Sequence, residues 1–348
     1  MRHTIVPPYL LRRLTTLDDP EMAHVAQAAR ESLAMDESIR RHRAVAGEHG
    51  AQRGARRLGP SARSIFDAER TENLPGTLVR SEGDEPGPDI AVTEAYDGFG
   101  HTHALFREVY GRASIDDDNL PLLGTVHFGR DYENAFWDGE RMVFGDGDGM
   151  VFGRFTAALS VIGHELAHGV TQYTANLIYR GQSGALNESI SDVFGALVEQ
   201  RVLGHTSEDA SWIIGTGLFT DRVEGVGLRS MKAPGTAYDD DVLGKDPQPA
   251  AMEDYVDTVE DNGGVHLNSG IPNRAFYLAA SAIGGNAWSS AGQIWYDTVS
   301  GGTIPASCDF AAFARATAGA AAARFGSDSD SVEHVAVAEA WATVGLGM

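Results

Sequence analysis

Apolar residues recur at helical spacing between residues 18 and 43, at Met22, Val25, Ala26, Ala29, Leu33 and Ile39, with charged residues between them. That pattern predicts an amphipathic helix, and Asp18 or Asp19 ahead of Pro20 supplies a start signal. Residues 47–61 are rich in Gly, Arg and Pro and predict an exposed linker. From Ser64 to about Asp148 short apolar runs alternate with turn residues, as in GTLVRSEG, LLGTVHFG and RMVFGDGDG, and predict strands. The intervening TEAYDGFGHTHALFREVYGR predicts a helix. Further on, the spacing predicts one long apolar helix over residues 156–181 and a second over 184–203. Beyond about Gly263 come Ala-rich helices broken at Gly284-Gly285 and Gly301-Gly302. No internal repeat is visible. A strand-rich half followed by a helical half is an α+β arrangement.

Length and charge sharpen this picture. A chain of 348 residues exceeds what one compact core usually holds, so two or more units are expected. No run approaches the ~18 consecutive apolar residues of a membrane span. The opening MRHTIVPPYLLRRL does not have the pattern of a signal peptide: its apolar run is short, two prolines break it, and no small-residue cleavage site follows. Cys308 is the one cysteine, so an intrachain disulfide is excluded. The net charge of −22 argues against a nucleic-acid partner. It is unevenly placed: residues 1–60 hold ten arginines against seven acids, while the other 288 residues hold 17 basic and 42 acidic groups. A basic arm of this kind could dock on an acidic body; a solvated helix is the alternative.

The chemistry centres on His164-Glu165-Leu166-Ala167-His168. Positions i and i+4 of a helix share a face, so two imidazoles can converge on one metal ion, with Glu165 facing its water. A catalytic zinc site needs a third protein ligand and one open position. Glu188 lies 20 residues past His168, room for a turn and an antiparallel helix. Asp192, one turn further along the same face, is placed to accept a ring N–H from a ligating histidine. Two surface histidines and a solvated acidic helix face are the bland alternative.

VIGHELAHGVTQYTANLIY followed by GALNESISDVFGALVE resembles the thermolysin family of metallopeptidases, as do NAFWDGERMVFGDGDG upstream and GLRSM and DNGGVHLNSGIPNRAFYL downstream. The likeness runs in order from about residue 65 to the C-terminus. It implies a two-lobed catalytic domain with a strand-rich N-terminal lobe (61–180), a helical C-terminal lobe (181–348) and a zinc site between them. Thermolysin's His₂Glu ligand set falls on His164, His168 and Glu188. Glu165 is the implied general base, and Asp192 orients a ligand histidine. Tyr179 and His266 are the implied oxyanion donors, with Asp261 paired to His266. Arg229 is implied to bind a substrate carbonyl, and Asn134 and Ala135 the substrate main chain on an edge strand. Phe152, Phe155, Val161 and Leu228 form the implied pocket for the side chain after the scissile bond. The resemblance thus implies a neutral zinc endopeptidase that cuts before bulky hydrophobic residues.

Two departures matter. The family's paired-calcium site keeps Glu199 here, but Ser160 stands where an acid is wanted and Val226 replaces another calcium-binding Asp. Calcium takes ~6–8 oxygen ligands, so at most one weakened Ca²⁺ site is expected, using Glu199 and neighbours such as Asp209. Asp116-Asp117-Asp118 is expected to be a solvated acidic turn rather than a calcium loop. The N-terminus, HTIVPPYLL, resembles the short-prosegment branch typified by protealysin. Residues 1–60 are then expected to be a prosegment, with Pro7-Pro8-Tyr9 in the substrate groove as an intramolecular inhibitor and exposed cutting places at Arg40–Arg43 and Arg53–Arg57. An extended tail is the alternative. Because the family is mostly extracellular, secretion is expected although no signal peptide is seen, with a cytoplasmic location as the alternative. A latent or non-catalytic zinc protein that acts by binding a partner is the rival function. A structural zinc protein is another, but it calls for four ligands where only three are found.

Overall fold

The computed structural model describes residues 3–46, 62–326 and 331–347. An N-terminal arm comes first: strand β1 (His3–Thr4), helix α1 (Pro8–Thr15) and helix α2 (Ala23–Ala46). Pro8 stands at the first helical position of α1, where its missing N–H leaves nothing unpaired. The side chain of Asp19 accepts the Glu21 N–H in the single 3₁₀ turn that leads into α2. The linker 47–61, including Arg53–Arg57, lies outside the described residues. Arg40–Arg43 lie within the span of α2.

The strand-rich lobe contains β2 (Arg63–Asp67), β3 (Thr77–Ser81), helix α3 (Ile90–Ala104), β4 (Leu122–Val126), β5 (Ala135–Trp137) and β6 (Met142–Phe144). The strands make one mixed sheet of order β1-β5-β6-β4-β2-β3. The arm supplies an edge of it: β1 pairs antiparallel with β5, His3 opposite Trp137 and Thr4 opposite Phe136. Asp89 caps α3, accepting the N–H groups of Ala91 and Val92.

Helices α4 (Leu159–Gln172) and α5 (Gly181–Leu203) follow. The single helix expected over 156–181 ends earlier, because Asn176 takes a positive φ of 47° and its N–H closes back on Thr171 O. The two helices pack with almost no side chain between them at one point. A Cβ on Gly195 would lie 2.4 Å from Ser160 O, and one on Gly163 would lie 3.0 Å from Gly195 Cα. Glycine at both positions permits this approach, which brings Glu188 of α5 up to the histidines of α4. The short strands β7 (Ile213–Ile214) and β8 (Arg229–Ser230) pair antiparallel. The helical lobe is completed by α6 (Asp261–Asn268), α7 (Gly270–Ile283), α8 (Ala291–Ser300), α9 (Phe310–Phe325) and α10 (Val332–Thr343). Gly284 ends α7 and Gly301-Gly302 follow α8, at the expected breaks. The described helices include none long and apolar enough to cross a membrane.

Candidate active site

Helix α4 places His164, Glu165 and His168 in the interior, each at most 1% exposed. The Nε2 atoms of His164 and His168 lie 3.0 Å apart. Each is 3.5 Å from an oxygen of Glu188. His164 Nδ1 meets Asp192 Oδ1 at 2.8 Å, and His168 Nδ1 meets Asn187 Oδ1 at 2.8 Å. These acceptors fix a proton on each Nδ1, so both Nε2 lone pairs face each other bare. Burial, the largest influence on His168, lowers its pKa to about 3 and keeps it neutral. Burial would raise Glu188, but His266, His168 and His164 outweigh it and hold the carboxylate well below the ordinary range. Two ring nitrogens and a carboxylate oxygen, all within 4.8 Å of one another, are a donor set that a cation satisfies. Tetrahedral zinc with bonds of ~2.0–2.1 Å wants ligand atoms about 3.3 Å apart, close to what is found. The residues present therefore fit zinc.

Around this triad the other predicted residues converge. Asp192, held at about 2 against the cost of burial chiefly by Arg229, accepts from Arg229 Nε and Nη2 at 2.8 Å. Its Oδ2 also accepts from Asn273 Nδ2 at 2.7 Å. Glu165 Oε2 accepts the Trp137 N–H at 2.8 Å, while Oε1 is buried without a hydrogen-bond partner. Tyr179 donates to Glu188 Oε1, and its hydroxyl is 3.3 Å from His266 Nε2. The run Asp261 to Gly264 has four successive positive φ values, which folds Asp261 back onto α6. Its carboxylate accepts both the backbone N–H of His266, at 2.9 Å, and Nδ1, at 2.7 Å. Burial would lower the pKa of His266, but Asp261 and Glu188 raise it to about 9, so both ring nitrogens donate.

The arm lies on this site as an extended peptide. His266 Nε2 donates to Thr4 O at 3.0 Å, and Ile5 N–H donates to Ala135 O at 3.1 Å. Arg229 Nη1 donates to Ile5 O at 3.0 Å. The Asn134 amide brackets Val6, accepting its N–H at 2.9 Å and donating to its carbonyl at 3.3 Å. Phe152, Phe155, Val161 and Leu228 are buried in the same apolar cluster as Ile5 and Val6. The hydrogen bonds to the predicted site residues come from Thr4 to Val6, and Tyr9 of the Pro7-Pro8-Tyr9 segment lies further along, within electrostatic reach of Arg229 and Asp261. Pro7 and Pro8 start α1, their fixed φ suiting a helix N-terminus. Tyr9 is largely buried beside the core.

The expected calcium neighbourhood is also altered. Ser160 lies beside the Glu199 side chain, whose pKa burial raises, and its hydroxyl accepts the Gly215 N–H at 3.1 Å. Asp209 accepts from Thr206 Oγ1 at 2.8 Å, and Val226 is an exposed loop residue. Asp116 and Asp117 cap N–H groups of their own turn, those of Asp118, Leu120 and Ala113. Among the described residues the one group of three or more metal-ligating side chains is His164, His168 and Glu188.

The sequence pattern did not single out Trp137, Asn187, Ser191 or Asn273, although each lies within or beside a segment that carried the resemblance. Ser191 Oγ sits 2.9 Å from His168 Nδ1. Nor did it find Ser32 and Asp36 of α2, an i,i+4 polar pair on a buried face. Ser32 accepts the Glu133 N–H at 2.9 Å, and Asp36 accepts from Tyr132 Oη at 2.5 Å and Asn134 Nδ2 at 3.2 Å.

Comparison with known proteins gives a consistent picture. The family "Thermolysin metallopeptidase, catalytic domain" matches residues 31–172, and "Thermolysin metallopeptidase, alpha-helical domain" matches residues 175–346. An extracellular metalloprotease of Pectobacterium carotovorum subsp. carotovorum is 52% identical over 345 residues, 99% of this chain and 96% of that protein. A thermolysin of Alicyclobacillus acidocaldarius is 38% identical over 280 residues, 78% of this chain and 48% of its own length. Among solved structures, the precursor of protealysin, a metalloproteinase from Serratia proteamaculans, superposes with a TM-score of 0.88 at 50% identity, covering 99% of this chain and all of that one. With its fold, its His-His-Glu site and both domain matches in agreement, the chain belongs to the thermolysin family of metallopeptidases.

Proposed function

We propose that this protein is the latent precursor of a neutral zinc endopeptidase that cuts on the N-terminal side of bulky hydrophobic residues. Residues 1–60 serve as an inhibitory prosegment, 61–180 as the strand-rich lobe and 181–348 as the helical lobe. The observation that carries this is the placement of Thr4 to Val6, an extended peptide with Thr4 O on His266 and the fully buried Ile5 next in line. Secretion is supported by relatives named as extracellular proteases.

His164, His168 and Glu188 would hold the zinc, which when bound polarises a carbonyl and lowers the pKa of a coordinated water to about 7. Glu165 takes the proton of the attacking water and passes it to the leaving amine. Burial and the nearby Glu188 push its carboxyl well above the ordinary carboxylate range. His266 and Tyr179 donate to the oxygen on which charge develops, and one such donor is worth ~3 kcal/mol in the barrier. Asp261 keeps His266 protonated, and Asp192 orients His164. Asn134, Ala135 and Arg229 hold the substrate main chain. Phe152, Phe155, Val161 and Leu228 wall the pocket for the next side chain. A calcium ion at Glu199 and neighbours such as Asp209 would be only weakly held, because Ser160 supplies no carboxylate.

The experiment is a peptide-library digest by protein whose arm has been cut away after folding. Cleavage is expected before Leu, Ile, Val and Phe, and a synthetic peptide of residues 3–15 is expected to inhibit it. Cuts that ignore the following residue, or no inhibition by that peptide, would sink the specificity or the prosegment role respectively.

A further inference from the structure

The register of the arm singles out one peptide bond. Thr4 O faces His266 Nε2 at 3.0 Å, and that nitrogen is 3.3 Å from Tyr179 Oη and 3.6 Å from Glu188 Oε2. The next two carbonyls turn elsewhere, Ile5 O to Arg229 Nη1 and Val6 O to Asn134 Nδ2. On the other side of the Thr4 carbonyl, Ile5 N–H is fixed by Ala135 O. Among the described bonds of the arm, Thr4–Ile5 alone thus has its oxygen directed at donors beside the metal ligands and its nitrogen oriented to leave. Glu165 stands by the same strand. Its Oε2 is held by the N–H of Trp137, the partner of His3, and its Oε1 has no hydrogen-bond partner and can accept a proton.

We propose that the protein is its own first substrate: the zinc-loaded chain hydrolyses the Thr4–Ile5 bond once, in cis. This rests on the peptidase function proposed above. One water is consumed. Its oxygen bonds to the Thr4 carbonyl carbon, and Glu165 takes a proton from it and returns that proton to Ile5 N as the C–N bond breaks; the water's second proton then passes from the new Thr4 carboxyl group to the Ile5 amine. The products are residues 1–4 ending in a Thr4 carboxylate and a chain beginning with an Ile5 ammonium. Holding the bond in place makes the step unimolecular.

The cut leaves the cleft filled. Ile5 and Val6 keep Ala135, Asn134 and Arg229, and the rest of the arm still grips both lobes. Arg12 pairs with Glu260, Arg13 donates to Asp241 O, and Ser32 and Asp36 hold residues 132–134. Residues 1–4, by contrast, lose their covalent tether and keep mainly the short pairing of His3 and Thr4 with β5. A single turnover, with latency retained, follows.

The test takes the full 348-residue chain, metal-free, adds zinc, and follows intact mass and N-terminal sequence. The expected result is loss of residues 1–4 and a new N-terminus at Ile5, at a rate unchanged by dilution. The metal-free chain and Glu165→Gln are expected to stay whole. A second readout needs no metal: in the metal-free chain the Ile5 and Val6 amides should exchange hydrogen at least about a hundredfold more slowly than in the free peptide. An uncut N-terminus in zinc-loaded protein, when the same preparation cleaves added peptides once its arm is removed, overturns the inference and leaves the peptidase function standing. No cleavage of either kind overturns both. A cut whose rate rises with concentration, or unprotected Ile5 and Val6 amides, also overturns it.

Discussion

Arg229 Nη1 donates to the carbonyl oxygen of Ile5 at 3.0 Å, from a guanidinium whose other two nitrogens grip Asp192 at 2.8 Å. One side chain therefore links the peptide in the cleft to the carboxylate that orients His164. A lysine cannot make this fork. Arg229→Lys is expected to raise KM roughly ten- to a hundredfold in arm-free enzyme, from the loss of a charged hydrogen bond worth ~1.5–3 kcal/mol, with a smaller fall in kcat. Steady-state kinetics check this; an unchanged KM would remove Arg229 from the substrate.

Glu165→Gln keeps the shape of the side chain but removes the proton acceptor. Zinc content per chain should stay the same while kcat falls by about 10²–10⁴ or more. Metal analysis alongside turnover decides it, and near-normal turnover would mean that Glu165 is not the base.

Glu133 is fully buried, with no hydrogen-bond partner for either oxygen, and its backbone N–H is held by Ser32 of the arm. Burial, aided by Asp148, raises its pKa to about 10 from an ordinary 4.5. A carboxyl raised on folding contributes most below its unfolded pKa, and stability is then lost as pH climbs toward the folded value. The full chain should therefore melt at progressively lower temperature between pH 5 and 10, by up to about 1.4 kcal/mol per pH unit from this group. Glu133→Gln should flatten that slope. Parallel melting curves for the two proteins across this range would contradict the assignment.

Much of this was legible in the sequence because the site depends on short-range spacing. His164 and His168 share a helix face whatever surrounds them, and Asp192 follows Glu188 by one turn of α5. The strands at residues 77–81, 122–126 and 142–144 were visible as apolar runs. Helix α1 was not, since Pro7-Pro8 suggests an extended chain until the tertiary structure makes Pro8 a helix start. Long-range partners were hidden for the same reason: nothing local to Thr4 says that it will pair with Phe136 or meet His266. The end of α4 was missed because Asn176 adopts a left-handed conformation, which an apolar period does not report.

Burial raises the pKa of Glu199, and Ser160 beside it adds no carboxylate for a cation. Millimolar calcium is therefore expected to leave the melting temperature of the zinc-loaded protein within about a degree. Ser160→Ala should destabilise it by ~1–3 kcal/mol, because the Gly215 N–H loses its buried acceptor. A large calcium-dependent rise in the wild-type melting temperature would restore a calcium site.

The central claim, a zinc peptidase held latent by its own N-terminal arm, is tested most directly by following peptide turnover in one preparation through three states. These are metal-free, zinc-loaded with the arm in place, and zinc-loaded after proteolysis of the 47–61 linker and removal of the arm. Turnover of an added peptide is expected in the third state alone. Equal turnover by the second and third states, or none in the third with zinc bound, would contradict it.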